Sequence, residues 1–192
     1  FSTPIIYTWI IDPLIMTRDR VLAQSEERAH TDPLTELANR RLLAKYMERD
    51  LAGSARHNIY GGLLVIDLDD FKIVNDVHGH DAGDRVLIEI ARRLESVTRA
   101  EDLVARLGGD EFIVLLGRLD STEQTARGKA MQVADKLLEL ITRPIDFDGE
   151  SLQVGASIGI RLLEPEGMDA ETALQDADRA MYGAKESGKG SA

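Results

Sequence analysis

Short apolar runs and longer amphipathic stretches alternate along this chain of 192 residues. Gly62-Leu63-Leu64-Val65-Ile66 is a continuous apolar run with the length of a buried strand. Residues 103–107 and 112–116 are two more, separated by Gly108-Gly109-Asp110-Glu111. They read as strand, tight turn, strand, with the glycines at the turn. Helical periodicity predicts a helix over 39–51 with Leu42, Leu43 and Met47 inward. A second covers 81–99 and carries Val86, Leu87, Ile90, Ala91, Leu94 and Val97. A third runs over 122–142 and is stopped by Pro144. The last covers 172–187, with Gly188 where a C-terminal cap belongs. Residues 145–147 and 152–162 flank Asp148-Gly149, a hairpin turn signal. Helices interleaved with hairpins predict an α/β sandwich: a mixed central β-sheet flanked by helices. There is no internal repeat and no low-complexity segment.

Composition narrows the picture. Hydrophobic residues make up 43%, enough for a core, and the length suits one domain with an appended segment. A formal net charge of −11 argues against a general nucleic-acid surface. With no cysteine, disulfides and thiolate metal sites are excluded. The chain begins at Phe1, which suggests a fragment of a longer protein. Residues 1–16 are apolar, with Tyr7 and Trp9, but Pro4, Asp12 and Pro13 interrupt them and they are too short to span a bilayer alone. They fit the tail of an upstream transmembrane or sensor element, a packed strand or an interdomain segment equally well. Residues 17–30 are charged and helix-friendly, with Val21, Leu22, Ser25, Arg28 and Ala29 near heptad spacing: a linker helix, exposed or paired with a second copy.

Two acidic elements carry the chemistry. Asp110 and Glu111 follow the glycine turn at the mouth of an apolar strand, where ionised groups lose hydration. A cation or substrate that neutralises them explains their place. The 62–66 run ends in Asp67-Leu68-Asp69-Asp70-Phe71-Lys72, and Asp67 and Asp69 share a face while the strand lasts. Clustered carboxylates repel unless something positive sits among them. Mg²⁺ takes carboxylate and carbonyl oxygens and leaves room for phosphates, which Lys72 would also attract. A solvated acidic turn closing a core strand fits the Asp67 element as well.

Together these elements resemble the GGDEF family, the diguanylate cyclases. Asp32-Pro33-Leu34-Thr35 to Asn39-Arg40-Arg41 looks like the family's entry motif. Asp67 to Lys72 continues through Asn75-Asp76 and His78-Gly79-His80-Asp81-Ala82-Gly83-Asp84, and Ala177 to Lys185 resembles the last helix. The resemblance implies a nucleotidyl cyclase or polymerase-palm-like fold. It divides the chain into an N-terminal segment and linker helix (1–30), a catalytic domain (31–189) and a tail (190–192).

It also implies an activity: two GTP condense into cyclic di-GMP with release of pyrophosphate, Mg²⁺-dependent (Mn²⁺ as an alternative), in a homodimer. By resemblance Asp67, Asp110 and the Leu68 carbonyl are metal ligands, with Glu111 beside them as a further metal-site residue. Asp110, Glu111 and Lys72 are the catalytic candidates, and the general base is unassigned. Asp70 and Phe71 would hold phosphate through main-chain N–H groups at a helix start, with Lys72, Lys185 and Lys189 on the phosphates. Lys189 stands where the family has Arg, exchanging a fork for a point charge. Asn75 and Asp84 match the guanine readers; an Asp accepts from both N1–H and the 2-amino group, which adenine does not offer. Taken by themselves, an Asn and an Asp also serve as helix caps.

Arg99 and Asp102 match the family's RxxD inhibitory product site, with Arg127 a candidate second arginine; a surface ion pair is the ordinary alternative. His78 and His80 are read as loop-structuring rather than metal ligands. Asp69 and Asp70 are read as chiefly solvated. The expected setting is a cytoplasmic domain, joined in the full-length protein to an upstream sensor or membrane region. Two other functions remain open at this level: a non-catalytic cyclic di-GMP or GTP receptor, and a Mg²⁺-dependent phosphohydrolase.

Overall fold

The structure, a computed structural model, describes residues 30–187 and Gly190. The linker helix over 17–30, Lys189 and the last two residues of the tail therefore fall outside the described residues, apart from His30. Asn39 opens the first helix, α1 (Arg40–His57), its Oδ1 accepting from the N–H groups of Arg41 at 3.0 Å and Leu42 at 3.2 Å. α1 runs beyond the expected end at Leu51 and stops only at Asn58, whose φ of 50° gives the left-handed cap that Asn tolerates. Leu43 and Met47 are buried as expected.

β1 (Tyr60–Asp69) follows, then the short helix α2 (Phe71–His78) and the amphipathic α3 (His80–Glu95). β2 (Leu103–Gly108) and β3 (Glu111–Asp120) form the expected hairpin. Its glycine turn adopts φ of 141° at Gly108 and 54° at Gly109, conformations that side chains rarely allow. α4 (Glu123–Ile141) leads to the small hairpin β4 (Ile145–Phe147) and β5 (Glu150–Leu152). β6 (Gly155–Leu163) and α5 (Ala170–Ser187) complete the fold. The strand expected over 152–162 is thus divided. Leu152 closes the small hairpin, Val154 is buried, and the chain then joins the main sheet.

The sheet order is β2-β3-β1-β6, and each neighbouring pair is antiparallel. Among the described residues the one parallel pairing is the isolated bridge Ala38–Ala105 at the β2 edge. β1 is therefore central and buried on both faces, which its near-continuous apolar run requires. Leu64, Ile66 and Leu68 point to one core, shared with Val86, Ile90 and Leu94 of α3 and Ala130 and Leu137 of α4. Leu63 and Val65 point to the other, shared with Leu43 and Met47 of α1 and Ala173, Ala177 and Met181 of α5. The result is an α/β sandwich. Among the described residues no helix is long and apolar enough to cross a membrane.

Candidate active site

The end of β1 collects the acids. Asp67 lies opposite Glu111 of β3 and Ser157 of β6. Directly opposed residues share a face of the sheet, so these side chains project toward the α1/α5 layer. Asp110 precedes β3, and its carbonyl accepts the Leu68 N–H at 3.3 Å, which ties the glycine corner to the end of β1.

Above that end stands the last turn of α5. Lys185 Nζ is 2.5 Å from Asp67 Oδ1. The hydrogen bond to Asp67 raises the Lys185 pKa most, and the charges of Asp67, Asp69 and Asp110 add to it. With Glu111 opposite Asp67 and the Asp110 carbonyl bonded to the Leu68 N–H, the acids of the two sequence elements lie at the same end of the sheet. Gly159 makes the placement of Lys185 possible. A Cβ there would lie 2.0 Å from the Ala177 carbonyl oxygen and 2.3 Å from the Met181 nitrogen, so α5 could not lie against β6 over a larger residue.

Asp69 departs from its reading as a solvated acid. It is 3% exposed, accepts from Ser157 Oγ at 3.0 Å and from the Gly190 N–H at 3.0 Å, and faces Gly155 on β6. β6 covers it, and the alternation of β1 alone does not reveal that cover. Asp70 is exposed, as expected, and holds φ of 60° at the start of α2, its carbonyl accepting the Ile73 N–H at 2.9 Å. Phe71 buries its ring while its N–H stands at the helix start, and Lys72 is exposed beside it.

Asn75 of α2 presses against the start of α3. A Cβ on Gly83 would sit 2.0 Å from Asn75 Oδ1, and Asp84, the next residue, is exposed. Asn75 and Asp84 are therefore brought to one junction by a residue that has no side chain. Neither acts as a helix cap, since both lie inside helices. His78 Nδ1 lies 2.9 Å from Glu150 Oε2 and ties α2 to the small hairpin, while His80 opens α3.

The entry motif and the glycine turn are joined by a network that sequence reasoning missed. Arg106 Nη1 donates to Asp32 Oδ1 at 2.9 Å, and its Nε and Nη2 donate to the Gly109 carbonyl at 3.0 and 2.8 Å. Asp32 Oδ1 also accepts from the Thr35 N–H and hydroxyl at 2.9 and 2.7 Å. Burial pushes the Asp32 carboxyl upward, but the Thr35 and Arg106 contacts outweigh it and leave the pKa lowered. Arg106 is 9% exposed, so the turn is braced from inside. The presence of an Asp-x-x-Thr element and of an Arg two residues before the first turn glycine was the available clue.

The RxxD pair sits elsewhere. Asp102 accepts from the Arg99 N–H at 2.9 Å and the Gly117 N–H at 3.0 Å. It staples the loop to β3 through main-chain groups, and burial raises its pKa. The ordinary alternative of an Arg99–Asp102 ion pair is not what forms; the Arg99 side chain is exposed. Arg127 pairs with Glu123 at 2.8 Å on α4.

The donor set fits a hard cation. It offers only oxygens, at a place where a positive group already rests against Asp67. Among the described residues no group of three or more His, Asp or Glu side chains is placed to hold a metal ion.

Residues 29–191 match the family model described as "Diguanylate cyclase, GGDEF domain". The chain belongs to the GGDEF family. It is 43% identical over 171 residues to the diguanylate cyclase TpbB of Pseudomonas aeruginosa, covering 88% of this chain and 38% of that protein. It is 37% identical over 188 residues to the bifunctional diguanylate cyclase/cyclic di-GMP phosphodiesterase MucR of the same organism, covering 94% of this chain and 27% of that protein. The chain thus spans well under half the length of these relatives. Among solved structures, the coiled coil and GGDEF domain of DgcB from Caulobacter crescentus, in complex with c-di-GMP, superposes with a TM-score of 0.83. It is 26% identical, and the match covers 94% of this chain and 95% of that one.

Proposed function

We propose that this domain condenses two GTP molecules into cyclic di-GMP in a Mg²⁺-dependent homodimer. The observation that carries the reading is the Lys185–Asp67 contact at the end of β1, to which the Asp110 carbonyl ties the glycine turn and from which α2 starts. Asp67, Asp110 and the Leu68 carbonyl would hold the cation, with Glu111 adjacent. When bound, it supplies positive charge at the α-phosphate and makes a nearby hydroxyl more acidic.

This chain's residues do the rest by holding and orienting. Asp84 accepts from the N1–H and 2-amino group of guanine, and Asn75 completes the reading of its edge. The N–H groups of Asp70 and Phe71 and the ammonium groups of Lys72 and Lys185 hold the triphosphate. Lys189 adds a further charge near the chain's end. The 3′-oxygen of one GTP then bonds to the α-phosphorus of the other, the bond to the β-phosphate breaks, and pyrophosphate and the hydroxyl proton leave. Two such steps close the ring. Each chain offers one guanine-reading pair, so a second copy must bring the second GTP within reach. Product inhibition would act at the exposed Arg99 guanidinium. Asp102 is already hydrogen-bonded to the main chain, so it would chiefly shape that loop.

Purified protein given GTP and Mg²⁺ should yield cyclic di-GMP and pyrophosphate. Asp110→Ala should lower the rate about a thousandfold or more, since several kcal/mol of charge stabilisation is lost. Free phosphate as the product, or an unchanged rate in that variant, would overturn the reading.

A further inference from the structure

Lys185 sits on the carboxylate that the proposed function gives to a divalent cation, and this inference rests on that reading. We propose that Lys185 is an internal counter-ion for Asp67 that a divalent cation must displace, and that a bound triphosphate draws it away, so that cation and nucleotide bind cooperatively.

The geometry supplies the competition. Lys185 Nζ lies 2.5 Å from Asp67 Oδ1, and the Asp67 side chain is 16% exposed. A dication on either oxygen of that carboxylate would stand within a few ångströms of an ammonium in a partly dehydrated site. Their repulsion there is far stronger than in water. One of the two must leave.

Lys185 is the one built to move. Its side chain is 35% exposed, its charge is compact, and its four-carbon stem lets the head swing while the helix stays in place. It also sits in the last turn of α5, where the helix dipole favours a cation. The start of α2, offered for phosphate, immediately follows β1. A triphosphate held there presents several anionic oxygens to the ammonium in exchange for one carboxylate. Asp67 is then released to the cation. Linkage makes the effect reciprocal: cation binding raises nucleotide affinity by the same factor.

A purely structural lysine, present only to fasten α5 to β1, predicts the opposite sign. Its removal would loosen the site and weaken every ligand. The exchange model predicts that removal tightens the cation in the absence of nucleotide.

The test is Mn²⁺ binding to the whole chain without nucleotide, followed by the EPR signal of free Mn²⁺. Wild type is compared with Lys185→Met, Lys185→Arg and Asp67→Asn. Lys185→Met should bind Mn²⁺ about tenfold tighter than wild type, within the usual range of coupling between sites. Lys185→Arg, which keeps the charge, should stay weak, and Asp67→Asn should lose binding in either background. A second arm measures a fluorescent GTP analogue with Mg²⁺ or with EDTA. Mg²⁺ should raise its affinity in wild type and do so several-fold less in Lys185→Met. Equal or weaker Mn²⁺ binding by Lys185→Met would overturn the exchange while leaving the cation site standing. Absence of binding in every variant that keeps Asp67 would overturn the cation site itself. Should Lys185→Met lose its thermal transition, Lys185→Gln carries the same comparison.

Discussion

Asp69 is a carboxylate almost wholly removed from water, and it accepts hydrogen bonds from a hydroxyl and an N–H. Such a group is tolerated because it is hydrogen-bonded, and the buried Ser157 hydroxyl would be stranded without it. Ser157 is fully buried, so Asp69→Ala leaves its hydroxyl without an acceptor. The expected loss is about 2 kcal/mol, read as a lowered urea midpoint. Asp69→Asn should recover part of it, since one oxygen can still accept from Ser157.

Asp32 makes a different prediction because its pKa is lowered, not raised. A carboxyl whose folded pKa lies below its unfolded value stabilises the fold above that unfolded value. The contribution fades as pH falls through the folded one. Below about pH 4, where free carboxyls begin to protonate, the stability of the native chain should therefore drop in part because Thr35 and Arg106 lose a charged acceptor. Asp32→Asn should flatten that acid limb, and urea melts between about pH 3 and pH 6 would measure it. An unchanged slope would show that other carboxyls carry the acid response.

At the scale of elements, the hairpin 103–116 was readable because apolar runs bounded by paired glycines admit few other structures. α3 and α4 were readable from period, although α3 ends at Glu95 and not at 99, so that Val97 lies beyond it. The end of α1 was not, since Ala52 to His57 carries little apolar signal and the stop depends on the left-handed Asn58. The acids at the end of β1 were visible as a cluster, but which were solvated was not. That depends on β6, which sits beside β1 although Asp69 and its β6 partner Gly155 are 86 positions apart in sequence. Arg106 and Asp32 were both within recognisable motifs, yet their pairing is a long-range contact that spacing does not encode.

Two glycines give the element-scale prediction, and they should fail differently. Gly159→Ala meets main-chain atoms of α5 at 2.0 and 2.3 Å, so the whole helix must shift. The expected cost is about 3 kcal/mol, with Lys185 carried away from Asp67 and GTP affinity lost as well. Gly83→Ala meets the end of one side chain, Asn75 Oδ1, at 2.0 Å. That side chain can rotate away, so the fold should be nearly as stable while the proposed guanine reader is turned aside. KM for GTP should rise about tenfold, equivalent to one lost hydrogen bond of about 1.4 kcal/mol, with little change in thermal midpoint. If both variants lost stability equally, the α2–α3 junction would be a packing site rather than a reading site.

For the whole molecule, the chemistry asks for two copies while the charge resists them. Each chain carries a formal −11, and two such chains approaching with GTP add more negative charge. Divalent cations and the lysines neutralise the centre, but the long-range field between copies remains repulsive at low ionic strength. Salt shortens that field to about 10 Å at 0.1 M. Specific activity should therefore rise with protein concentration, and at a fixed low concentration it should rise again when KCl goes from about 20 to about 150 mM. At still higher salt, the proposed phosphate contacts of Lys72 and Lys185 should weaken and the rate should fall. A product assay over a hundredfold dilution series at each salt separates these effects. Specific activity that stays constant across the dilution would mean that one chain, or a dimer too tight to dissociate, completes the reaction. Sedimentation at the lowest concentration then decides between them, and a monomer found active there would remove the need for a second copy.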